Sequence, residues 1–293
     1  MKSSFLHAKE DHKKMICKTM LLLLPLLCYG IYKNGFLLYQ RHSISLLEVF
    51  KPLWLVFLSF LINSLIKIVF VKKLEFDFSY LYVFLVSLFV MPNVNYFVFI
   101  FFLTAGLLLL HFLGKGLTIN KVAFLHLLIA LGMFLIDKYN YANVAELNNV
   151  YSLTLTDILS GRAVGGICTS SFLLGILLLA LLSFGTIYKT NVFFIAYAFY
   201  CLFNFLFVFV FSWCDYMMFF SPTVVLGFIL VGTICESSPY TFLGSSLYAS
   251  FVGALTAILS LFLPYDGMFV AILLVSVATP LFDKIDRKKR KVL

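Results

Sequence analysis

The stretch DILSGRAVGGICTSSFLLG, residues 157–175, is the only long segment in which small, polar and charged residues lead straight into an apolar run. Gly161, Gly165 and Gly166 lack a side chain, so the backbone there can approach a ligand or another helix closely. Two interpretations follow. The stretch forms part of a binding site, or it is a glycine-rich helix start packed on its neighbours, because membrane helices use small residues for close contact.

The rest of the chain is strongly apolar. Of its 293 residues, 62% are hydrophobic and only 12% are charged, and the mean hydropathy is +1.04. A soluble domain is nearer half apolar and a quarter charged. The apolar runs are too long and continuous for the alternating strands of a membrane β-barrel. The composition therefore predicts an all-α polytopic membrane protein.

The apolar runs predict ten transmembrane helices in two halves of five. Because each half has an odd number of spans, the two halves would have opposite orientations in the membrane. A weak sequence similarity between the halves supports the repeat, since LFVMP ends at Pro92 and LFLP ends at Pro264. We place the spans at 15–32, 50–71, 77–91, 94–113, 121–136, 165–187, 190–213, 219–236, 243–263 and 267–282.

One membrane domain, residues 15–282, is thus expected, with halves at about 15–136 and 165–282 and an outer loop at 137–164. Residues 1–14 form a tail, and residues 283–293 form a basic tail. An even number of spans puts both termini on one side, and most of the 22 Lys and Arg residues then fall on that side. Because basic residues concentrate in cytoplasmic loops, both termini are predicted to be cytoplasmic. Lys67, within the second span, is expected to extend its ammonium group to the membrane surface.

Several function classes are excluded. The net charge of +9 comes from short loops and the two tails, which argues against nucleic-acid binding. No Cys-x-x-Cys pair occurs, and neither His111 nor His126 belongs to a ligand pattern, so no metal site is predicted. Asp266 is expected at the end of a span, and no chain of intramembrane carboxylates indicates an ion relay within this subunit alone.

The helices that begin near Gly165 and end near Pro239 are predicted to meet at one pocket. The residues that would line it are small or carry a hydroxyl group: Gly165, Gly166, Thr169, Ser170, Ser237 and Ser238. Tight helix packing without a cavity is the alternative.

Three regions resemble RnfD, a membrane subunit of Rnf electron-transport complexes, and its relative NqrB of the sodium-pumping NADH:quinone oxidoreductase. Residues 237–283 resemble the family's C-terminal pattern through SSP at 237–239, PYDG at 264–267, AILL at 271–274 and PLFD at 280–283. GKGLTIN at 114–120 is similar to the family's GGLGQN. Gly165, Gly166 and Gly175 lie where the family has a glycine-rich turn entering a helix.

The resemblance implies a subunit, not catalytic on its own, of a redox-driven, ion-translocating oxidoreductase of the bacterial inner membrane, assembled with other membrane and peripheral subunits. Family members carry FMN esterified to the Thr of a motif D-x-x-S-G-A-T. Here Asp157, Ser160 and Gly161 match the motif, Arg162 replaces its Ala, and Ala163 stands at the acceptor position. Alanine has no hydroxyl group, so covalent FMN is not expected. Any FMN or riboflavin is expected to bind without a covalent bond.

The cofactor-binding residues implied in this way are Asp157, Ser160, Gly161, Arg162, Gly165, Gly166, Thr169, Ser170, Ser237 and Ser238. An alternative function remains open on the same fold, namely binding or transport of a flavin-like or other small solute. An unrelated ten-helix carrier is a third interpretation, because a fold alone does not fix a function.

Overall fold

The computed structural model describes residues 12–40, 43–113, 118–141, 156, 159, 161, 164–183, 188–212, 219–234 and 238–290. Within these ranges the secondary structure is helical, apart from one isolated bridge between Tyr188 and Ile234. The predicted all-α class is confirmed.

The described helices follow one another as the hydrophobic runs predict. Several of them continue through a π-helical turn, in which the hydrogen bonds skip one residue further than in an α-helix. They are α1 (His12–Ile31, then Tyr32–Phe36 and Leu37–Gln40), α2 (Leu46–Val49), α3 (Lys51–Ile66, then Lys67–Val71), α4 (Phe78–Phe89), α5 (Tyr96–Leu113), α6 (Lys121–Leu135), α7 (Phe172–Leu182), α8 (Thr190–Phe205, then Leu206–Val210), α9 (Pro222–Gly227, then Phe228–Gly232), α10 (Phe242–Ser260), α11 (Gly267–Val277) and α12 (Thr279–Arg290).

All of the described helices except α2 and α12 are apolar segments that correspond one to one to the predicted spans. Four of them, α1, α3, α8 and α10, are long and apolar enough to cross a membrane, whereas the other six are shorter. An 11-residue helix such as α11 is about 16 Å long, roughly half of a hydrocarbon core of about 30 Å. The chain is a multi-pass membrane protein built from both long and short apolar helices.

The two short helices α4 and α9 form the centre of the bundle. Every residue from Tyr80 to Phe89 of α4 is buried, and so is every residue of α9. The long helices instead carry exposed phenylalanines, among them Phe57 on α3 and Phe194 on α8. A helix that is apolar on all sides and buried is a core helix, and exposed apolar side chains on the surrounding helices are suited to lipid.

The packing of the two halves repeats. In the first half, α4 contacts α1, α3 and α6, and α5 contacts α3 and α6. In the second half, α9 contacts α7, α8 and α11, and α10 contacts α8 and α11. Two pairs of counterparts also meet across the halves, α1 with α7 and α6 with α11. This arrangement is typical of an inverted repeat whose pseudo-two-fold axis passes between the paired counterparts.

The Lys67 side chain on α3 contacts the segment that leads into α4. Its ammonium group lies 2.6 Å from Asp77 Oδ1 and donates to the Glu75 carbonyl oxygen at 2.7 Å. Burial alone would raise the pKa of Asp77, but hydrogen bonds from Lys67 and Ser79 and the Lys67 charge lower it below its ordinary value. The Lys67 side chain is itself buried while its partner Asp77 is half exposed, so the extension of Lys67 to the membrane surface stays a prediction.

Two predicted span boundaries are also wrong. The sixth span was expected to be helical from residue 165, but α7 begins only at Phe172 and residues 165–171 are not helical. The tenth span was expected to run to residue 282, but α11 ends at Val277 and α12 starts at Thr279, extending into the basic tail. At both places, small residues have a low helix propensity, and hydroxyl side chains can form hydrogen bonds with the backbone that compete with those of a helix.

Candidate functional site

Residues 165–171 form a buried, non-helical segment ahead of α7. Its backbone is paired with the end of α4: Ile167 N donates to the Val90 carbonyl at 2.7 Å, and Cys168 N donates to the Leu88 carbonyl at 3.0 Å. The last carbonyls of a helix have no partner within it, so the segment and the helix end satisfy each other. Non-helical backbone inside a membrane protein is tolerated only where protein or a water-filled cavity surrounds it.

Glycines make this approach possible. A Cβ atom on Gly166 would overlap the carbonyl oxygen of Phe89, and one on Gly165 would lie 2.7 Å from Thr223 Oγ1. Gly161 has a φ of +88°, which glycine adopts readily, and it packs against the hydroxyl group of Tyr29. The glycine-rich stretch therefore sits at a junction of α1, α4, α7 and α9.

The π-helical turn of α1 supplies a polar side chain to the same junction. Asn34, in that turn, donates from Nδ2 to the Ile167 carbonyl at 2.7 Å, and both Asn34 and its neighbour Lys33 are buried. π-Turns inside helices are frequent at functional sites. The turn fixes the non-helical segment against α1 as well as against α4.

Three buried residues that carry hydroxyl groups lie beside the two glycines. Thr169 Oγ1, Ser170 Oγ and Thr223 Oγ1 have no hydrogen-bond partner among the described residues. Each of these residues is at most 1% exposed. Leaving a buried hydroxyl unsatisfied costs about 1–3 kcal/mol, so a polar group that hydrogen-bonded to these side chains would be stabilised by the contact. We call Thr169, Ser170 and Thr223 the hydroxyl cluster.

The structure brings together some of the predicted binding residues and not others. Gly161, Gly165, Gly166, Thr169 and Ser170 lie at one junction. Asp157, Ser160, Arg162 and Ser237 lie outside the described residues. Thr223, which the sequence reasoning missed, joins the site because it begins α9 directly beside Gly165.

Ser238 lies at the opposite end of α9. Thr223 is at the first turn of this helix and Ser238 follows its last turn, so about 15 Å of helix separates the two positions. The backbone carbonyls of Ser238 and Pro239 accept hydrogen bonds from the Lys189 ammonium group at 3.4 and 2.6 Å. The helices α7 and α9 do pack together, with Gly175 near Leu226, but Ser238 belongs to a separate region.

The region around Ser238 contains the other motifs that resemble the family. Asn120 is buried, caps α6 by accepting from Ala123 N, and donates from Nδ2 to the Val231 carbonyl at 2.9 Å. Its backbone N donates to Ser276 Oγ at 3.0 Å. Asp283 accepts a hydrogen bond from the backbone N of Tyr240. Asn120 thus holds α6, α9 and α11 together, and Asp283 fixes α12 to the start of α10.

A further polar group was not predicted at all. His126 of α6 lies 2.8 Å from Asp266 Oδ1, and both side chains are buried. The two residues are 140 positions apart, and neither stands in a motif with the other. The only signal in the sequence was a histidine within an apolar run.

A family model described as "NQR2, RnfD, RnfE family" matches residues 1–291. No curated protein matches the chain. The matched range includes the non-helical segment, the hydroxyl cluster and the motifs at the far end of α9.

Proposed function

Because the chain belongs to the NQR2, RnfD, RnfE family of membrane subunits of Rnf- and Nqr-type complexes, we propose that it is RnfD-like. In this role it is a subunit of an ion-coupled electron-transport complex in the bacterial cytoplasmic membrane. It carries no covalent FMN, and its partners are further membrane and peripheral subunits of that complex.

One observation carries the cofactor part of this proposal. Thr169, Ser170 and the non-helical segment follow directly on the stretch that resembles the flavin-acceptor motif, and Thr223 lies beside Gly165 of that segment. Hydroxyl groups donate and accept hydrogen bonds, so Thr169, Ser170 and Thr223 fit the ribityl or phosphate oxygens of FMN or riboflavin. A bound flavin would supply one- and two-electron redox chemistry. The protein's part is to hold the polar end of the molecule and to keep water out.

The assembly is tested by isolating the tagged chain from its native membranes in a mild detergent. We expect it to bring down other membrane subunits together with peripheral subunits whose visible absorption shows flavin and iron–sulfur groups. A chain that purifies alone would contradict the proposal. If it then retains a small polar solute that Thr223→Val releases, binding or transport of that solute is the function.

The orientation is tested by reporter fusions. A reporter at residue 145 is expected on the outer side and one at the C-terminus on the cytoplasmic side, because an odd number of spans separates the two positions. Alkaline phosphatase should be active only at the first position and green fluorescent protein fluorescent only at the second. Equal signals from both positions would remove this topology and the inverted repeat with it.

A further inference from the structure

The C-terminal helix α12 is fixed to the start of α10. Asp283 Oδ1 accepts hydrogen bonds from the backbone N of Tyr240 at 3.1 Å and from the backbone N of Thr241 at 3.3 Å. The Phe282 ring is stacked on Phe251 of α10, with ring centroids 5.8 Å apart. Because α10 is about 28 Å long, nearly the thickness of a hydrocarbon core, its first residues lie where the hydrocarbon ends. The first half of α12 is therefore held at the boundary of the membrane.

The second half of α12 is strongly basic. Six of the eight residues from 284 to 291 are Lys or Arg, and one, Asp286, is acidic. The helix ends at Arg290, so residues 284–290 extend at most about 10 Å beyond Asp283. The polar headgroup layer on each side of a bilayer is about 5–8 Å thick. The basic part of α12 thus lies in or directly beside this layer, whichever way the helix is inclined.

Large apolar side chains are exposed beside these charges. Tyr240 is 79% exposed, Phe242 is 71% exposed and Leu281 is 60% exposed. The Lys189 ammonium group lies 5.4 Å from the centre of the Tyr240 ring, which adds a positive charge at the start of α10. Aromatic side chains and long basic side chains are both suited to the boundary between membrane and water. We call Lys189, Tyr240, Phe242, Leu281 and residues 284–290 the basic surface.

We propose that the basic surface binds anionic phospholipids, so that lipids with a net negative charge are enriched around the start of α10. Clusters of about four to eight Lys and Arg residues next to a membrane span attract acidic headgroups, and each basic residue near the surface adds to the attraction. The exposed aromatic and aliphatic side chains contact the acyl chains of the same lipids. Lipid binding at this surface does not depend on the proposed electron-transport function.

An acidic protein surface is the other partner that these positive charges could attract. Two features favour lipid. The basic surface lies at the end of a membrane span, so lipid headgroups surround it in any membrane that holds the chain. Tyr240 and Phe242 expose apolar rings next to the charges, and a phospholipid offers an acyl chain and a charged group to the same place.

The test compares reporter tryptophans at the two ends of α10. Phe242→Trp reports on the basic surface, and Phe262→Trp is the control, at a residue 77% exposed just beyond the other end of the helix. Each is made in the full-length chain with Trp54→Phe and Trp213→Phe, because the chain has two tryptophans of its own. The protein is reconstituted in vesicles of phosphatidylcholine and phosphatidylglycerol. One of the two lipids carries brominated acyl chains, which quench the fluorescence of a neighbouring tryptophan.

At residue 242 we expect phosphatidylglycerol to be preferred over phosphatidylcholine by about fivefold or more in about 0.1 M salt, the effect of one basic residue near a charged surface. At residue 262 the two lipids should quench equally. Raising the salt to about 1 M shortens the Debye length from about 10 Å to about 3 Å and should remove most of the preference at residue 242. Equal preferences at the two reporters, or a preference that salt does not change, would overturn the proposal.

Two pairs of substitutions locate the preference. Lys288→Gln with Lys289→Gln removes two positive charges from the last turn of α12 and should lower the preference at residue 242 by about twofold or more. Lys72→Gln with Lys73→Gln is the matched control, since it removes two exposed charges after α3 in the other half and should leave the preference unchanged. Equal effects of the two pairs would mean that the charge of the whole chain attracts the lipid, and would contradict a site on α12.

An acidic protein partner would give a different result. The two lipids would then quench equally at residue 242, while the Lys288→Gln and Lys289→Gln pair would release peripheral subunits from the tagged chain in native membranes. Equal quenching at residue 242 refutes lipid binding whatever the subunits do. The vesicles contain no partner subunits, so failure of this test is separate from failure to assemble. The salt series needs no charge substitution, so it tests the proposal even if the α12 variant does not fold.

Discussion

Gly166→Ala is expected to lower the free energy of unfolding by about 3 kcal/mol or more, because overpacking a core forces the backbone to move. The added methyl group would overlap the Phe89 carbonyl oxygen, which is backbone and cannot rotate away. Moving residue 166 away from this carbonyl group would also stretch the hydrogen bonds that Ile167 and Cys168 donate to the end of α4. Thermal unfolding of the detergent-solubilised protein, followed by fluorescence-detected size exclusion, measures the loss.

Gly232→Ala is the control for this prediction. A Cβ atom at Gly232 would meet Ile272 Cδ1 at 3.6 Å, an ordinary van der Waals distance. Alanine is also the better helix former by up to about 1 kcal/mol. The midpoint of unfolding should therefore stay unchanged or rise slightly. Equal losses of stability in the two variants would mean that the contact between residue 166 and α4 does not exist.

The ten apolar helices were predictable because each is a continuous apolar run. Such a run indicates a helix whichever parts of the protein or the membrane pack against it. The length of the non-helical segment 165–171 was not predicted: its glycine and hydroxyl residues weaken a helix, but Ile167 and Cys168 are as apolar as a helix interior. What holds them out of a helix is a pair of hydrogen bonds to Leu88 and Val90, almost 80 residues earlier in the chain. Local sequence carries no sign of such a contact.

The candidate site shows the same limit. Gly165, Gly166, Thr169 and Ser170 lie next to one another in sequence, so their proximity followed from the residues alone. Ser238 was grouped with them because it has the same chemistry, although α9 places it at the far end of the helix. Thr223 was missed because a lone threonine after a proline carries no signal. The pairing of His126 with Asp266 likewise depends on how α6 meets α11.

No covalent flavin is expected on the unaltered chain. A phosphoester needs a side-chain hydroxyl, and Ala163 offers none where the family motif has Thr. Thr169 is not a substitute, because its Oγ1 is fully buried beside Gly166. A flavin held only by hydrogen bonds separates from the chain on denaturation. Denaturing gel electrophoresis after co-expression with a flavin transferase should therefore show no fluorescent band at the mass of this protein.

Restoring the motif should reverse this result. The double variant Arg162→Ala with Ala163→Thr recreates the complete sequence D-x-x-S-G-A-T from Asp157 onward, so a fluorescent band should appear under the same conditions. Arg162→Ala with Ala163→Val is the matched control, since valine has nearly the shape of threonine and no hydroxyl group. A band in the threonine variant alone assigns the gain to the oxygen atom rather than to the loss of Arg162. A band in the unaltered chain, or in the valine variant, would place the acceptor elsewhere and disprove the alignment of residues 157–163 with the motif.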